Sequence, residues 1–315
     1  MFKKFRFIGL AMVVALAVVL AACGSGSDES SDSSNSGSEG DSGSSSGVEL
    51  GEKELTIPYV AWAGAIARTH LIAQVLEEAG YEVETPQVEA GPMWSSVADG
   101  SADITASAWL PTTHQSYWKK YKDSVESINT IIDKAPLALT VPSYMKDVNS
   151  VEDLKGNTEL GEATDWTIIG IDPGAGIMQN TQKALKEYGL DKWTLTQSSG
   201  SAMLSQLQKK MEDKEKIIVP LWKPHWAFAK MDLKMLKDPK GVYGGDGDHI
   251  DIVVNKELKD KSPAAYQILK QYTADYEQLN SLMGKIHDGA DPEEVAAKYL
   301  EEHPDKLDKW LKGLK

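Results

Sequence analysis

The chain has 315 residues, with 47 acidic against 33 basic side chains and a formal net charge of −14. That length is sufficient for one large domain or two medium domains. The excess of negative charge argues against nucleic-acid binding, because phosphates need a basic surface to neutralise them. Cys23 is the only cysteine, so the chain cannot form an internal disulfide.

The first 50 residues are predicted to be a targeting signal and a tether. Residues 1–23 carry a basic start and a short apolar run, which is typical of a secretory signal and too short for a good membrane span. The run ends in a Leu-Ala-Ala-Cys sequence that resembles a bacterial lipobox, so Cys23 is the predicted lipidation site. The alternative is a plain secretory signal with an incidental cysteine. Residues 24–50 are rich in Ser, Gly and acidic residues, which predicts a flexible tether. We therefore expect a globular body anchored through Cys23 at the outer face of the cytoplasmic membrane.

The next part of the chain alternates predicted strands and helices. Strands are predicted over residues 54–60, 81–89 and 103–108, and helices over residues 66–80 and 91–99. A β-α-β-α-β order with short connections is typical of a doubly wound sheet with helices on both faces.

A second run of the same kind follows, and it ends in a helical tail. The pattern predicts an α/β protein of two lobes, each with a doubly wound sheet, joined by a hinge. Lobe I would comprise residues 51–140 and 242–315, and lobe II residues 141–241. The elements predicted in this part are strands over residues 137–141, 167–172, 216–221 and 249–255, and helices over residues 174–188, 201–214, 263–272, 274–288, 292–303 and 304–311.

Tryptophan is unusually frequent, with nine residues against only four phenylalanines. Trp62, Trp109 and Trp222 each follow a predicted strand, and ligands of open α/β sheets bind beyond the carboxyl ends of strands. Tryptophan offers the strongest cation–π face, which suits a quaternary ammonium because that group has no N–H to donate. A single tryptophan is more often a core residue. Three of them at strand ends favour a binding site for a small cation.

A possible anion site lies in the Asp-Pro-Gly-Ala-Gly-Ile-Met segment at residues 172–178. It predicts a strand, a turn and a helix start, where free N–H groups and the helix dipole attract an anion. The segment lacks the Lys-Ser/Thr pair of a phosphate loop, so a carboxylate is favoured over a nucleotide. A merely tight turn is the alternative. His114 is a candidate donor to the same carboxylate, and His225 competes with it for that role.

The sequence gives little support for an enzyme. The six histidines show no metal-ligand spacing, no nucleophile elbow is present, and no carboxylate pair stands out. We therefore expect no catalytic residue, no metal and no cofactor. An extracellular hydrolase and an adhesin remain the alternatives from other functional classes.

Four segments carry a resemblance to a known family: residues 59–63, 106–114, 170–178 and 220–226. Together they resemble the lipid-anchored glycine betaine binding proteins of ABC importers, or OpuAC-like proteins. The resemblance implies a two-lobed, type II periplasmic-binding-protein-like fold and no enzymatic activity. It also implies that the chain captures glycine betaine and proline betaine for osmoprotection, as a monomer, and delivers them to a permease driven by an ATPase. A choline or carnitine binder is the closest alternative.

The resemblance also implies a role for individual residues. In that family three tryptophans surround the trimethylammonium group, while backbone N–H groups and a histidine hold the carboxylate. Lys223 must then point away from the cage, because its charge would repel the ligand. The residues that match are Trp62, Trp109 and Trp222 for the cage, and Gly176, Ile177 and His114 for the carboxylate.

Overall fold

The structure, a computed structural model, describes residues 47–314, which belong to one compact unit. The predicted signal, Cys23 and most of the predicted tether lie outside the described residues. No helix within residues 47–314 is long and apolar enough to cross a membrane. The strands are β1 (Glu54–Thr56), β2 (Glu82–Glu84), β3 (Ile104–Leu110), β4 (Val125–Ala135), β5 (Leu137–Pro142), β6 (Thr167–Ile169), β7 (Thr194–Thr196), β8 (Val219–Trp222), β9 (Leu233–Met235) and β10 (Asp248–Asn255).

Helices cover most of the remaining chain, and one short 3-10 turn spans Val151–Leu154. The helices are α1 (Ala63–Glu78), α2 (Ala90–Asp99), α3 (Gln115–Tyr121), α4 (Thr158–Ala163), α5 (Gly176–Glu187), α6 (Gly200–Glu212), α7 (Ala227–Lys230), α8 (Leu258–Lys261), α9 (Pro263–Gln271), α10 (Tyr276–His287), α11 (Pro292–Glu302) and α12 (Pro304–Trp310).

The strands form two groups, and each group combines a parallel pair of strands with a set of three antiparallel strands. In the first, β1 and β2 are parallel, and β10 lies between β3 and β4 in antiparallel pairing. The N–H of Asp103 donates to the carbonyl of Thr56 at 3.0 Å, which brings β1 beside the start of β3. In the second group, β6 and β7 are parallel, and β5 lies between β8 and β9. There the N–H of Ile169 donates to the carbonyl of Ile218 at 3.0 Å and links β6 to β8.

The chain passes from one strand group to the other twice, so each group contains one strand that follows such a crossing. The crossings follow β4 and β9, so β5 enters the second group and β10 returns to the first. This double exchange places the ends of β3 and β8, which come from distant parts of the sequence, in the same region of the molecule. The residue boundaries predicted for the two lobes stay predictions.

The longest strand, β4, was not predicted from the sequence, and several predicted strands are shorter than expected. β4 pairs only with β10 and lies at a sheet edge, so it tolerates polar residues that hide the strand pattern. Tyr81–Glu89 was predicted as one strand, but regular pairing covers only Glu82–Glu84. The residues after β6 likewise leave the sheet early and form the loop that leads into α5.

Two histidines are almost fully buried in this fold. His114 is 1 % exposed and His225 is 2 % exposed. Burial lowers the pKa of His114 to about 3, and it lowers the pKa of His225 to about 3 with help from the nearby charge of His287. Both imidazoles are therefore neutral at pH 7, and protonating either one requires water to reach it.

These histidines predict a loss of stability on mild acidification. Below the ordinary histidine pKa of about 6.5, the unfolded chain binds protons that the native histidines do not, so stability falls as pH falls. Between pH 7.5 and 5.5 each histidine should lower the free energy of unfolding by about 1.4 kcal/mol. Urea unfolding at the two pH values measures this change. The His225→Gln variant should lose about 1.4 kcal/mol of the pH dependence, the share of one histidine, and an unfolding free energy equal at both pH values in the wild type would contradict the account.

Candidate functional site

A cavity of about 350 Å³, counting its mouth, lies where β3, β8 and the first turns of α1 and α5 meet. All six residues predicted to bind the ligand line it. Their ligand-binding roles stay predictions, but the fold brings them together from four separate segments. The lining residues are Trp62, Gly64, Ala65, Arg68, Trp109, Thr113, His114, Leu137, Ile171, Ala175, Gly176, Ile177 and Trp222.

Three tryptophan rings form adjoining walls of the cavity. The ring of Trp222 meets that of Trp62 at a centroid distance of 6.5 Å and an interplanar angle of 67°. It meets the ring of Trp109 at 6.3 Å and 77°. Rings set nearly at right angles can direct more than one π face at the same small cation.

Each ring is held by the element that carries it. Trp109 lies in β3 opposite Ile250, and Trp222 ends β8 opposite Leu137. Trp62 is the N-cap residue of α1, and its indole N–H donates to the Asp172 carboxylate at 2.8 Å. That bond joins the start of α1 to the loop before α5, so it sets the orientation of one cage wall relative to the opposite strand group.

The opposite part of the cavity presents hydrogen-bond donors. The N–H groups of Gly176 and Ile177 lie in the first turn of α5, where a helix has no internal acceptors for them. No described residue accepts a hydrogen bond from either N–H. The positive end of the α5 dipole adds to their attraction for an anion.

His114 is oriented to donate from its outer ring nitrogen. Its Nδ1 accepts the backbone N–H of Trp109 at 3.2 Å, so Nδ1 carries no proton and Nε2 does. The ring is neutral, because burial lowers its pKa to about 3. His114 is the N-cap residue of α3, and its side chain lines the cavity.

Asp248 holds the loop that carries His114. Its two carboxylate oxygens accept the backbone N–H groups of Thr112 and Thr113, each at 2.8 Å. Asp248 begins β10, more than a hundred residues further along the chain. The sequence contains no local signal for this contact, and Asp248 was not identified from it.

The start of α5 lies directly against this loop. A Cβ on Gly176 would lie 2.0 Å from the carbonyl oxygen of Thr113, a separation that only glycine avoids. Nearby, the hydroxyl of Tyr117 donates to the carbonyl of Gly174 at 2.8 Å. The segment at residues 172–178 and the loop with His114 are thus in direct contact beside the cavity.

Lys223, which would repel a cation, and His225, the alternative donor to a carboxylate, lie outside the cavity lining. Lys223 Nζ is 4.5 Å from the ring centroid of Phe228, so its charge is engaged away from the tryptophan cage. His225 lines a neighbouring cavity, and its Nδ1 accepts the N–H of Ala227 at 3.1 Å. The geometry therefore favours His114 over His225 as the donor to a carboxylate.

Besides Asp248, sequence reasoning missed two further polar residues at this site. Asp172 was identified only as part of a turn. Its hydrogen bond to Trp62 joins residues that are distant in the sequence, so no local pattern predicts it. Arg68 was not noticed, because a charged residue in a predicted helix is normally expected at the surface. In the structure α1 is buried along most of its length, and Arg68 is buried with it and lines the cavity. Among residues 47–314, no group of three or more His, Cys, Asp or Glu side chains is placed to hold a metal ion.

The sequence is similar to curated binding proteins of transport systems. It is 43% identical over 189 residues to the glycine betaine/carnitine transport binding protein GbuC of Listeria monocytogenes. That match covers 59% of this chain and 63% of GbuC, so it spans less than two thirds of the relative. Identity to the glycine betaine/proline betaine-binding periplasmic protein of Salmonella typhimurium is 26% over 289 residues, covering 78% of this chain and 85% of that protein.

Solved structures show the same fold. Lactococcal OpuAC, in its closed-liganded conformation complexed with glycine betaine, has a TM-score of 0.77 and 37% identity, covering 83% of this chain and all of the other. The glycine betaine, L-proline-binding protein ProX of Borrelia burgdorferi has a TM-score of 0.78 and 32% identity, covering 82% of this chain and 96% of the other. These matches confirm the predicted two-lobed, type II binding-protein fold.

The family model OpuAC, described as the substrate binding domain of ABC-type glycine betaine transport system, matches residues 53–302. This match spans both strand groups and every residue that lines the cavity. It also agrees with the expectation that the protein is not an enzyme, since the family is defined by substrate binding for transport. The chain therefore belongs to the OpuAC family of substrate-binding domains of ABC-type glycine betaine transport systems.

Proposed function

We propose that this protein captures glycine betaine, and also proline betaine, and delivers it to an ABC importer for osmoprotection. The observation that carries the proposal is a single cavity with three tryptophan rings, a helix N-terminus and a neutral histidine in its walls. The printed names of the Listeria and Salmonella relatives support the ligand class.

The tryptophans suit the cationic end of such a ligand. A trimethylammonium group spreads its charge over methyl groups that make van der Waals contact with ring faces and need no acceptor. Each desolvated cation–π contact contributes about 0.5–2 kcal/mol, so three faces account for a substantial part of micromolar binding. Trp62, Trp109 and Trp222 are each at most 7 % exposed, so these contacts would be well shielded from water.

The donors suit the carboxylate end. The N–H groups of Gly176 and Ile177 and the Nε2–H of His114 would each donate to a carboxylate oxygen, forming charge-assisted hydrogen bonds. These donors and the rings line the same cavity, so one small zwitterion can satisfy both. Because neutral His114 remains a donor throughout the physiological pH range, capture does not depend on its protonation.

We also propose that the protein is anchored through lipidated Cys23 at the outer face of the cytoplasmic membrane and serves as a monomer. The lipobox-like sequence at residues 20–23 and the Ser/Gly-rich stretch after it support this arrangement. There it would pass its ligand to a membrane permease powered by an ATPase, the partners that the family implies.

Carnitine or choline is the second candidate ligand. The name of GbuC includes carnitine, which shares the trimethylammonium group and carries a carboxylate on a longer chain. Choline would occupy the tryptophan rings but leave the donors of α5 and His114 without an acceptor. Unpaired buried donors cost affinity, so the geometry favours the betaines over choline.

Isothermal titration calorimetry of the purified protein with four ligands tests this function. Glycine betaine and proline betaine should bind with dissociation constants on the order of micromolar, and carnitine more weakly because its longer chain separates the charges. Choline should be the weakest of the four. Tighter binding of choline would support the alternative, and no binding of any of the four would refute the transport function.

The close contact at Gly176 predicts a specific loss of binding in a pair of glycine variants. Gly176→Ala should weaken glycine betaine binding by roughly tenfold or more, because its Cβ would collide with the Thr113 carbonyl and overpacking costs about 1–3 kcal/mol. Gly174→Ala is the matched control, since its Cβ would meet no atom closer than 3.7 Å. Calorimetry on both variants gives the comparison. If both variants bind glycine betaine with equal affinity, binding does not require the close contact between α5 and the Thr113 loop.

The anchor predicts a change of cell fraction. In the native host, Cys23→Ala should release the protein from the membrane fraction into the medium, because the two acyl chains that hold it are lost. Immunoblotting of both fractions measures the distribution. Membrane retention of the variant, or a wild-type protein found only in the medium, would contradict lipid anchoring.

A further inference from the structure

Arg68 is a buried charge in the wall of the ligand cavity. Its side chain is 1 % exposed, and the residue lines the cavity with the three cage tryptophans. Its Nε donates to the carbonyl of Ala106 at 2.9 Å and its Nη2 to the hydroxyl of Ser107 at 3.0 Å. Its Nη1 lies where a side chain on Gly64 would begin, only 2.8 Å from that Cβ position. The guanidinium is thus packed beside the first turn of α1, where the cavity lies.

Within the part of the chain that the structure describes, Arg68 has no oppositely charged partner in an ion pair or hydrogen bond. Both of its hydrogen-bond acceptors are neutral. The titratable group that acts on its pKa is the phenol of Tyr272, which is uncharged at pH 7 because burial raises the pKa of its hydroxyl. The cavity lining contains no acidic residue, and the Asp172 carboxylate at its edge accepts the indole N–H of Trp62. Burial lowers the pKa of Arg68 to about 10, which still leaves the guanidinium charged at pH 7. A buried charge without a counter-charge is costly, so a bound anion would be favoured there.

The geometry points to Arg68 as a specificity-determining residue, which makes the cavity select zwitterions over quaternary ammonium compounds of net positive charge. This inference rests on the proposed function and adds to it the means of discrimination. The tryptophan rings contact only the trimethylammonium group, which is the same in glycine betaine and choline. A positive charge in the cavity wall acts on the whole ligand, through a Coulomb term that falls slowly with distance in a site of low dielectric constant.

The two ligands therefore differ in their interaction with Arg68. Choline carries a single positive charge, and the guanidinium repels that charge at every position that choline could take in the cavity. Glycine betaine carries a carboxylate as well, and attraction to that group offsets the repulsion of its ammonium. No direct contact between Arg68 and the carboxylate is required for this difference.

A purely structural role for Arg68 is the competing explanation. The register of β3 against β10 shifts between Asp251 and Val253, opposite the stretch that contains Ala106 and Ser107. The Arg68 side chain provides donors to this irregular part of the sheet. If Arg68 only stabilised this part of the sheet, its replacement would lower folding stability. It would then change the affinities for the two ligands by the same factor.

Two substitutions separate charge from hydrogen bonding. Arg68→Gln keeps an N–H donor and removes the charge, whereas Arg68→Lys keeps the charge and changes the donor geometry. Calorimetric titration of the wild type and both variants with glycine betaine and choline at pH 7 gives the ratio of the two affinities, and thermal melting reports folding. Arg68→Met is a second neutral variant, for use if the Gln variant does not fold.

We expect the neutral variants to reduce the preference for glycine betaine over choline by about tenfold or more, chiefly through tighter choline binding. The Lys variant should keep most of the wild-type preference. A preference unchanged in the folded neutral variants would overturn the inference, and so would a Lys variant that loses as much preference as the Gln variant. A wild-type protein that binds neither ligand would instead refute the proposed function, so the two failures are distinguishable.

Discussion

A trimethylammonium group, the cationic end of the proposed ligand, has no hydrogen to donate, and this constraint accounts for most of the site. Such a cation cannot be recognised by the carbonyls and carboxylates that bind lysine or arginine side chains through N–H groups. It must be enclosed by polarisable faces, and tryptophan supplies the best of these. Faces on several sides require rings from several chain segments. The fold provides them by bringing the ends of β3 and β8 and the start of α1 to one cavity.

The remaining polar contacts keep this cavity in shape. The Asp172 carboxylate fixes the indole of Trp62, and the Asp248 carboxylate fixes the loop that ends in His114. Both bonds join residues more than a hundred positions apart in the chain. Hydrogen bonds to a charged acceptor are stronger than neutral ones, so these contacts give the Trp62 ring and the loop with His114 well-defined positions. A preorganised site loses less affinity to ordering its own side chains.

The sequence predicted the local parts of this account and not the long-range ones. The helices α1, α2, α5, α6 and α9–α12 were predicted to within a few residues, because periodicity and capping are local signals. The edge strand β4 escaped detection because its exposed positions carry polar residues. The antiparallel placement of β10 between β3 and β4 joins distant segments, and periodicity carries no information on that pairing.

For the candidate site too, local sequence signals identified some residues, and residues that act through long-range contacts were missed. Trp62, Trp109 and Trp222 could be selected because each follows a predicted strand. Gly176 and Ile177 lie in a glycine-containing segment with a predicted helix start, and the family resemblance identified them as donors. Arg68 and Asp248 could not be selected. Arg68 reaches the cavity only because Gly64 leaves space for its guanidinium, and Asp248 acts through tertiary contacts with Thr112 and Thr113. The relevant property of both residues is what they touch, which one sequence does not reveal.

A crystal structure of the protein with glycine betaine would test the central claim most directly. The account predicts the trimethylammonium group between the rings of Trp62, Trp109 and Trp222. It predicts the carboxylate within hydrogen-bond distance of the Gly176 and Ile177 N–H groups and of His114 Nε2. A ligand bound in the neighbouring cavity beside His225, or one whose carboxylate faces the tryptophan rings, would contradict the account.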